Sequence, residues 1–341
     1  MRVAVYYNNK DVRLEERPVP RISHGELLVK VIASGICGSD VMEWYRIKKA
    51  PLVLGHEIAG EIDEVGEGVE GYKKGDRVFV SHHVPCNTCR YCLTGNHSVC
   101  DTLRRTNFDP GGFSEYIRVP EINVDRGVFL LPDKLSYEEG SFIEPLACVL
   151  RGLNRSHFRK GQRVLIIGSG ISGLLFVKAA SALGAGRIAA VDIHEYRLNA
   201  ADRFGADTVI NAREDIQARL RMVNGGYLAD LVVICTGASG AISQALKSVE
   251  RGGTILFFAP TEPSMSINVP LWDIWRDGIT ITTSYAGSPS DIVIAIELLK
   301  ACRLRVEDMI THRLSLSETG DGFKIVEKAQ DSIKVIIEPQ R

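Results

Sequence analysis

A chain of 341 residues, 45% hydrophobic and 24% charged, can bury a sizeable core and is long enough for two domains. A formal net charge of -1 gives no electrostatic case for nucleic acid or an anionic membrane as a partner. The opening MRVAVYYNNKDVRLEERP lacks a basic region followed by a sustained apolar stretch, so no secretory signal is expected and a cytoplasmic protein is.

In chain order, RVAVYY and ELLVKVIAS are short apolar runs separated by the turn region around Pro18 and Pro20, the pattern of strands in a small β-barrel. They lead to Cys37, and the next segment carries Ser39, Asp40, His56 and Glu57. Thiolate, imidazole and carboxylate are the ligand types of a zinc ion that keeps one position open, whereas a buried free cysteine and a capped histidine are the bland alternative. After a strand pair, EIAGEIDEVGEGV and GDRVFVS, comes CNTCRYCLTGNHSVC. Its Cys86, Cys89, Cys92 and Cys100 have the spacing with which one loop wraps a tetrahedral, closed zinc ion. Four of the eight cysteines crowd here, and a reducing compartment favours metal thiolates over disulfides. A redox CxxC pair and an iron–sulfur cluster use the same residue type.

FSEYIRV reads as a further strand, and Ser136 with Glu139 forms a capping-box signature for a helix over SYEEGSFIEPLACVLRGL. Within it Glu144, before Pro145, lies among apolar residues and needs a salt bridge or a nearby metal.

From Val164 strand and helix alternate: VLII, IAAVD, TVI, LVVICTG and TILFFA are strand candidates with helices between them, the doubly wound α/β pattern of a Rossmann domain. Gly168, Gly170 and Gly173 punctuate the first turn, with Ile171 and Ser172 between them. Such a turn lets the backbone approach a pyrophosphate and offers it the unpaired N–H groups of a helix N-terminus. Asp192 closes the second strand, where an acid binds ribose hydroxyls and repels a 2′-phosphate, so NAD is expected over NADP. Arg197 is a candidate for the adenosine side and Thr236, at the end of LVVICTG, a further cofactor contact. Lys178, the glycines and the flanking charges argue against a membrane span here. The tail carries a helix (DIVIAIELLKACR), a THRLSL strand, another helix and a last strand, IKVIIEP.

Together these residues resemble the zinc-containing medium-chain alcohol and polyol dehydrogenases over essentially the whole chain. The matching motifs are GxCGSD (Gly35 to Asp40), GHE followed by GExxxVG (Gly55 to Gly66), GDRV (Gly75 to Val78), the four-cysteine lobe, IEPLA (Ile143 to Ala147), GSGISG and THRLSL. The resemblance implies a chaperonin-10-like β-barrel catalytic domain over 1–146 with a structural zinc lobe, an NAD-binding Rossmann domain over 147–282, and a return to the catalytic domain over 283–341. It implies two zinc ions per subunit, one catalytic and one structural, and a homotetramer or homodimer.

The EPL context of Glu144 resembles the sorbitol, butanediol and sugar-phosphate dehydrogenase branches. There the catalytic zinc takes a Cys, His and Glu set, here Cys37, His56 and Glu57, while the EPL glutamate contacts the metal or its water. Ser39 would then take the proton of the substrate alcohol. The implied substrate is a secondary alcohol of a polyol, sugar or sugar derivative. Threonine dehydrogenases are the second choice, and a non-catalytic NAD-binding relative the third. The chain departs from the pattern at Met42, where many relatives place a proton-relaying histidine. Arg46, Lys48 and Lys49, with Arg104 and Arg105, are either a phosphate-holding cluster or a solvated face.

Overall fold

The computed structural model describes residues 1–341 and divides into two compact units, Met1–Ala147 with Ala286–Arg341, and Cys148–Tyr285. No helix is long and apolar enough to cross a membrane.

The first unit begins with strands β1 (Arg2–Asn8), β2 (Asp11–Glu16), β3 (Leu27–Gly35), β4 (Leu52–Val53), β5 (Glu57–Val65), β6 (Arg77–Ser81), β7 (Tyr116–Val119) and β8 (Val128–Leu130). The second holds β9 (Arg163–Ile167), β10 (Arg187–Asp192), β11 (Thr208–Asn211), β12 (Ala229–Ile234), β13 (Val249–Phe257) and β14 (Thr280–Thr283). The tail returns β15 (Ile310–Ser315) and β16 (Lys334–Glu338) to the first unit.

In the first unit one sheet runs β15-β16-β3-β5-β6-β8, with β7 also on β3, and a smaller one runs β2-β1-β4. Alternation in β3 sends Leu27, Val29 and Val31 into a core with Ile58, Ile62, Val78 and Ile117. A second core joins Val3, Val5, Ile36 and Phe113 to Phe323, Val335 and Ile337 of the tail. The tail therefore completes this unit's core.

The second unit is a parallel sheet in the order β11-β10-β9-β12-β13-β14. Its central strands are buried on both faces, which is why VLII and LVVI read as continuous apolar runs. At the end of β9 Gly168 has φ +96°, a conformation that favours glycine. A Cβ on Gly173 would strike the carbonyl oxygen of Gly168, so only glycine lets the helix Ile171–Ala182 pack this close. The edge strand β14, TITT in sequence, is not among the strand candidates.

The helix expected over 136–153 is two helices. Ser136 and Glu139 form the capping box, but the helix they start ends at Gly140, and a second runs Ile143–Arg155. Pro145 thus lies in a first turn, where its missing N–H breaks no helical bond.

Candidate functional site

Strand pairing assembles the first cluster. Gly35, the last residue of β3, is the antiparallel partner of Glu57, the first of β5, so Cys37, two residues past β3, lies beside His56 and Glu57. One ligand atom from each of these three falls within 4.8 Å of the others. Zinc bonds to sulfur, nitrogen and oxygen of about 2.0–2.3 Å place tetrahedral ligands some 3.3–3.8 Å apart, so the set fits one zinc ion with one position left for water or substrate.

Asp40 is fully buried and organises this cluster. Its Oδ2 accepts the Cys37 amide at 3.0 Å, and its Oδ1 lies 3.4 Å from both His56 Nδ1 and Arg46 Nη2. Burial pushes the Asp40 carboxyl up, but the charge and hydrogen bond of His56, then Arg46, hold it below its usual range. Burial likewise pulls His56 down, while Asp40, by charge and hydrogen bond, and then Cys37 carry it well above the ordinary imidazole value. Zinc must displace that proton.

Ser39 is held by Arg46, which donates from Nε to the Ser39 carbonyl at 2.9 Å and from Nη2 to its Oγ at 3.0 Å. Met42 is half-buried. The basic cluster considered for phosphate therefore lacks Arg46, which is turned inward; Lys48, Lys49, Arg104 and Arg105 are exposed.

Glu144 does not belong to the three-residue cluster. Its helix starts only at Ile143, and it lines a pocket with Ser81, His82, His83, Gly287 and Ile292. The two histidines escaped the sequence reading. Their signal is the His-His pair straight after GDRVFVS, because β6 pairs with β5 in the register Glu57 to Ser81. The His82 ring lies 4.9 Å from that of His56 and 3.8 Å from that of His83. Burial, then neighbouring positive groups, hold His82 well below the usual imidazole range and lower His83 to about 4. A third residue that the sequence did not single out is Lys334 of β16, whose ammonium forms a buried ion pair with Glu57.

In the lobe, Sγ separations are 3.9 Å for Cys86 to Cys92, 3.6 Å for Cys89 to Cys92 and 3.6 Å for Cys86 to Cys100. Four thiolates around one zinc at about 2.3 Å lie some 3.75 Å apart, whereas a disulfide needs about 2.05 Å, so the fit is to a single tetrahedral ion. Amide donors from Thr88 and Cys89 lower Cys86 to about 5, and burial pushes Cys92 up to about 12.

In the second unit Asp192 ends β10 beside the glycine turn. Its carboxylate accepts the amides of Ser169 at 2.8 Å, Ile193 at 2.8 Å and His194 at 3.0 Å. Arg197 Nη1 lies 3.9 Å from Asp192 Oδ2, and a Cβ on Gly170 would come 3.9 Å from the same nitrogen. Arg197 Nε is buried without a hydrogen-bond partner. Thr236 borders Gly168, whose Cβ would meet the threonine's at 3.2 Å. Gly170 caps the helix that begins at Ile171 and Ser172. The turn, helix N-terminus, acid and orphaned guanidinium nitrogen fit a dinucleotide.

Comparison with known proteins agrees. Residues 23–133 match the alcohol dehydrogenase GroES-like domain, and residues 172–301 match the zinc-binding dehydrogenase domain. The chain is 34% identical to sorbitol dehydrogenase of Bacillus subtilis, covering 100% of this chain and 98% of that protein. It is 34% identical to L-threonine 3-dehydrogenase of Bacillus velezensis over 96% of this chain and 95% of the other. Among solved structures, galactitol-1-phosphate dehydrogenase from Escherichia coli superposes with a TM-score of 0.87 at 31% identity, covering 99% of this chain and 100% of that one.

Proposed function

The chain belongs to the zinc-containing medium-chain dehydrogenases, with zinc and NAD(P) as cofactors, and within that family we propose that it oxidises a secondary hydroxyl of a polyol or sugar derivative. NAD is the assigned acceptor, on the position of Asp192 beside the glycine turn. The observation that carries the reading is the three-donor cluster of Cys37, His56 and Glu57, complete for an open zinc site.

Zinc held there would supply Lewis acidity that favours ionisation of the substrate hydroxyl. Ser39 would receive that proton at Oγ as its own hydroxyl hydrogen passes on to water. Because a guanidinium only donates, the bond from Arg46 fixes that oxygen as an acceptor and leaves the serine's own hydrogen free to turn toward water or substrate. Met42 carries no titratable group, so the proton passes to water rather than to a side chain at that position. Asp40 orients the imidazole of His56, and Glu144 places a carboxylate on the pocket wall.

Cys86, Cys89, Cys92 and Cys100 hold the second, structural zinc. We assign the chain to the cytoplasm, on its thiol-rich metal sites, and to a homodimer or homotetramer. Support for the latter comes from Leu271, Trp272 and Trp275, 73%, 65% and 74% exposed, immediately before the edge strand β14.

The test is initial NAD reduction across polyols, their phosphates, simple secondary alcohols and threonine, with NADP in parallel. Polyols or their phosphates should lead; threonine alone as substrate would replace this reading with the amino-alcohol one. Cys37→Ser should abolish turnover and leave NADH binding intact, and retained turnover would overturn the assignment of Cys37.

A further inference from the structure

We infer that His82 hydrogen-bonds the hydroxyl adjacent to the one oxidised, so that the site selects vicinal diols over simple secondary alcohols; this rests on the polyol reading above. Ser81 pairs with Glu57 across β6 and β5, so the residue after Ser81 emerges next to the ligand-bearing end of β5, and the His82 ring lies 4.9 Å from that of His56. A substrate oxygen on a zinc held by Cys37, His56 and Glu57 would have His82 as a neighbour.

The corner that presents this ring is fixed. Asn123, fully buried, donates its side-chain amide to the carbonyls of Ser81 at 2.9 Å and His82 at 3.0 Å. Ser81 Oγ donates to the His83 carbonyl at 2.9 Å, and the His83 ring stacks 3.8 Å from that of His82. Phe108 meets His82 from another side, edge to face, with centroids 6.5 Å apart.

His82 lines the same pocket as Glu144, Ala147, Gly287 and Ile292. Its Nδ1 is buried and has no hydrogen-bond partner, the one such atom among the pocket's lining residues. An unpartnered buried polar atom is costly until something satisfies it. For a monohydric alcohol an apolar ring would serve this wall better. A polyol brings a second hydroxyl one carbon from the reacting one, able both to donate and to accept, and an imidazole answers with one nitrogen of each kind. Sites built this way reject analogues that lack the hydroxyl more strongly than apolar pockets reject a missing methylene.

The experiment compares 2,3-butanediol with 2-butanol, the same carbon chain with and without the second hydroxyl, on the zinc-loaded enzyme and its His82→Phe and His82→Asn variants. Zinc content and NADH binding are measured on each variant. Calorimetric titration of the diol without NAD reads binding where no turnover occurs. We expect the native enzyme to prefer the diol. His82→Phe should lose about tenfold in kcat/KM for the diol, with 2-butanol changed by no more than about twofold and diol binding weakened in parallel. His82→Asn, which keeps a donor and an acceptor, should recover part of the loss. Equal losses on both alcohols, no loss on either, or loss of zinc from both variants would overturn the role of His82 and leave the polyol reading in place. A native enzyme with no preference for the diol would remove the polyol reading and this inference together.

Discussion

Lys334, in the last strand, forms a buried ion pair with Glu57, the residue after His56. The two are 277 positions apart, brought together because β16 pairs with β3 at Gly35 and β3 pairs with β5 at Glu57. The ammonium also donates to the Ile36 carbonyl at 3.4 Å and lies 5.5 Å from the centre of the Phe142 ring. Gly35 lies between the partners, and a Cβ there would run into both the carboxylate and the ammonium. The first glycine of the GxCGSD motif therefore makes room for this pair.

Removing Lys334 should leave a buried carboxylate uncompensated. Lys334→Met is expected to destabilise the metal-stripped protein by about 3–5 kcal/mol, read as the shift in urea unfolding, and by less when zinc supplies a second positive partner to Glu57. Gly35→Ala should lower stability in the same direction. An unfolding curve for Lys334→Met within about 1 kcal/mol of the native one would show that the pair contributes little.

Asp40 links metal affinity to pH. In the metal-free protein the raised pKa of His56 contributes stability that is fully present below its unfolded value of 6.5 and is lost as pH rises through the folded value. The depressed pKa of Asp40 contributes stability present above 3.8 and lost as pH falls through the lower folded value. The metal-free pair is therefore strongest between these two values, while zinc needs the neutral imidazole and binds more tightly as pH rises. Chelator competition at acidic and alkaline pH should show this increase in the native protein. In Asp40→Asn the imidazole loses its orienting charge, and affinity at the Cys37 site should fall about 10- to 100-fold with a shallower pH dependence. A pH-independent affinity in the native protein would contradict the linkage.

What was legible in the sequence was what is local. The thiols from Cys86 to Cys100 lie in one short loop, and Gly168 to Gly173 span one turn, so spacing alone brings their atoms together. The parallel sheet was legible because strands buried on both faces leave apolar runs. His82 and Lys334 were not, since each depends on the register of strands distant in sequence. The inward turn of Arg46 was equally hidden: a charge in a basic run reads as solvated until the structure shows Ser39 and Asp40 receiving it. The helix break before Ile143 was masked by continuous helical periodicity across Ser141 and Phe142.

Zinc stoichiometry separates the two metal sites. The protein should carry two zinc ions per chain. Cys100→Ser should reduce this to one and lower the melting temperature, because that thiol is buried in a small cluster with Cys92 and Leu103. Cys37→Ser should also reduce the count to one, yet leave the melting temperature much closer to the native value. Equal thermal losses from the two variants would remove the distinction between a structural and a catalytic ion.

Asp192 braces the glycine turn through the Ser169 amide and its own following segment through the amides of Ile193 and His194, and under the proposed function its charge would face the adenosine ribose. These two roles can be separated. Asp192→Asn removes the negative charge and keeps one of the two acceptor oxygens, so part of the bracing by this side chain should persist while repulsion of a 2′-phosphate disappears. Arg197, now 3.9 Å from the carboxylate, would then be free to pair with that phosphate. The ratio of kcat/KM for NAD over NADP should fall at least about tenfold, partly through a gain with NADP. Asp192→Ala removes the acceptor as well and should weaken both cofactors, since the turn itself loosens. If Asp192→Asn left the NAD to NADP ratio unchanged, the carboxylate would be a brace for the turn alone, and cofactor choice would have to come from Arg197 or the residues around it.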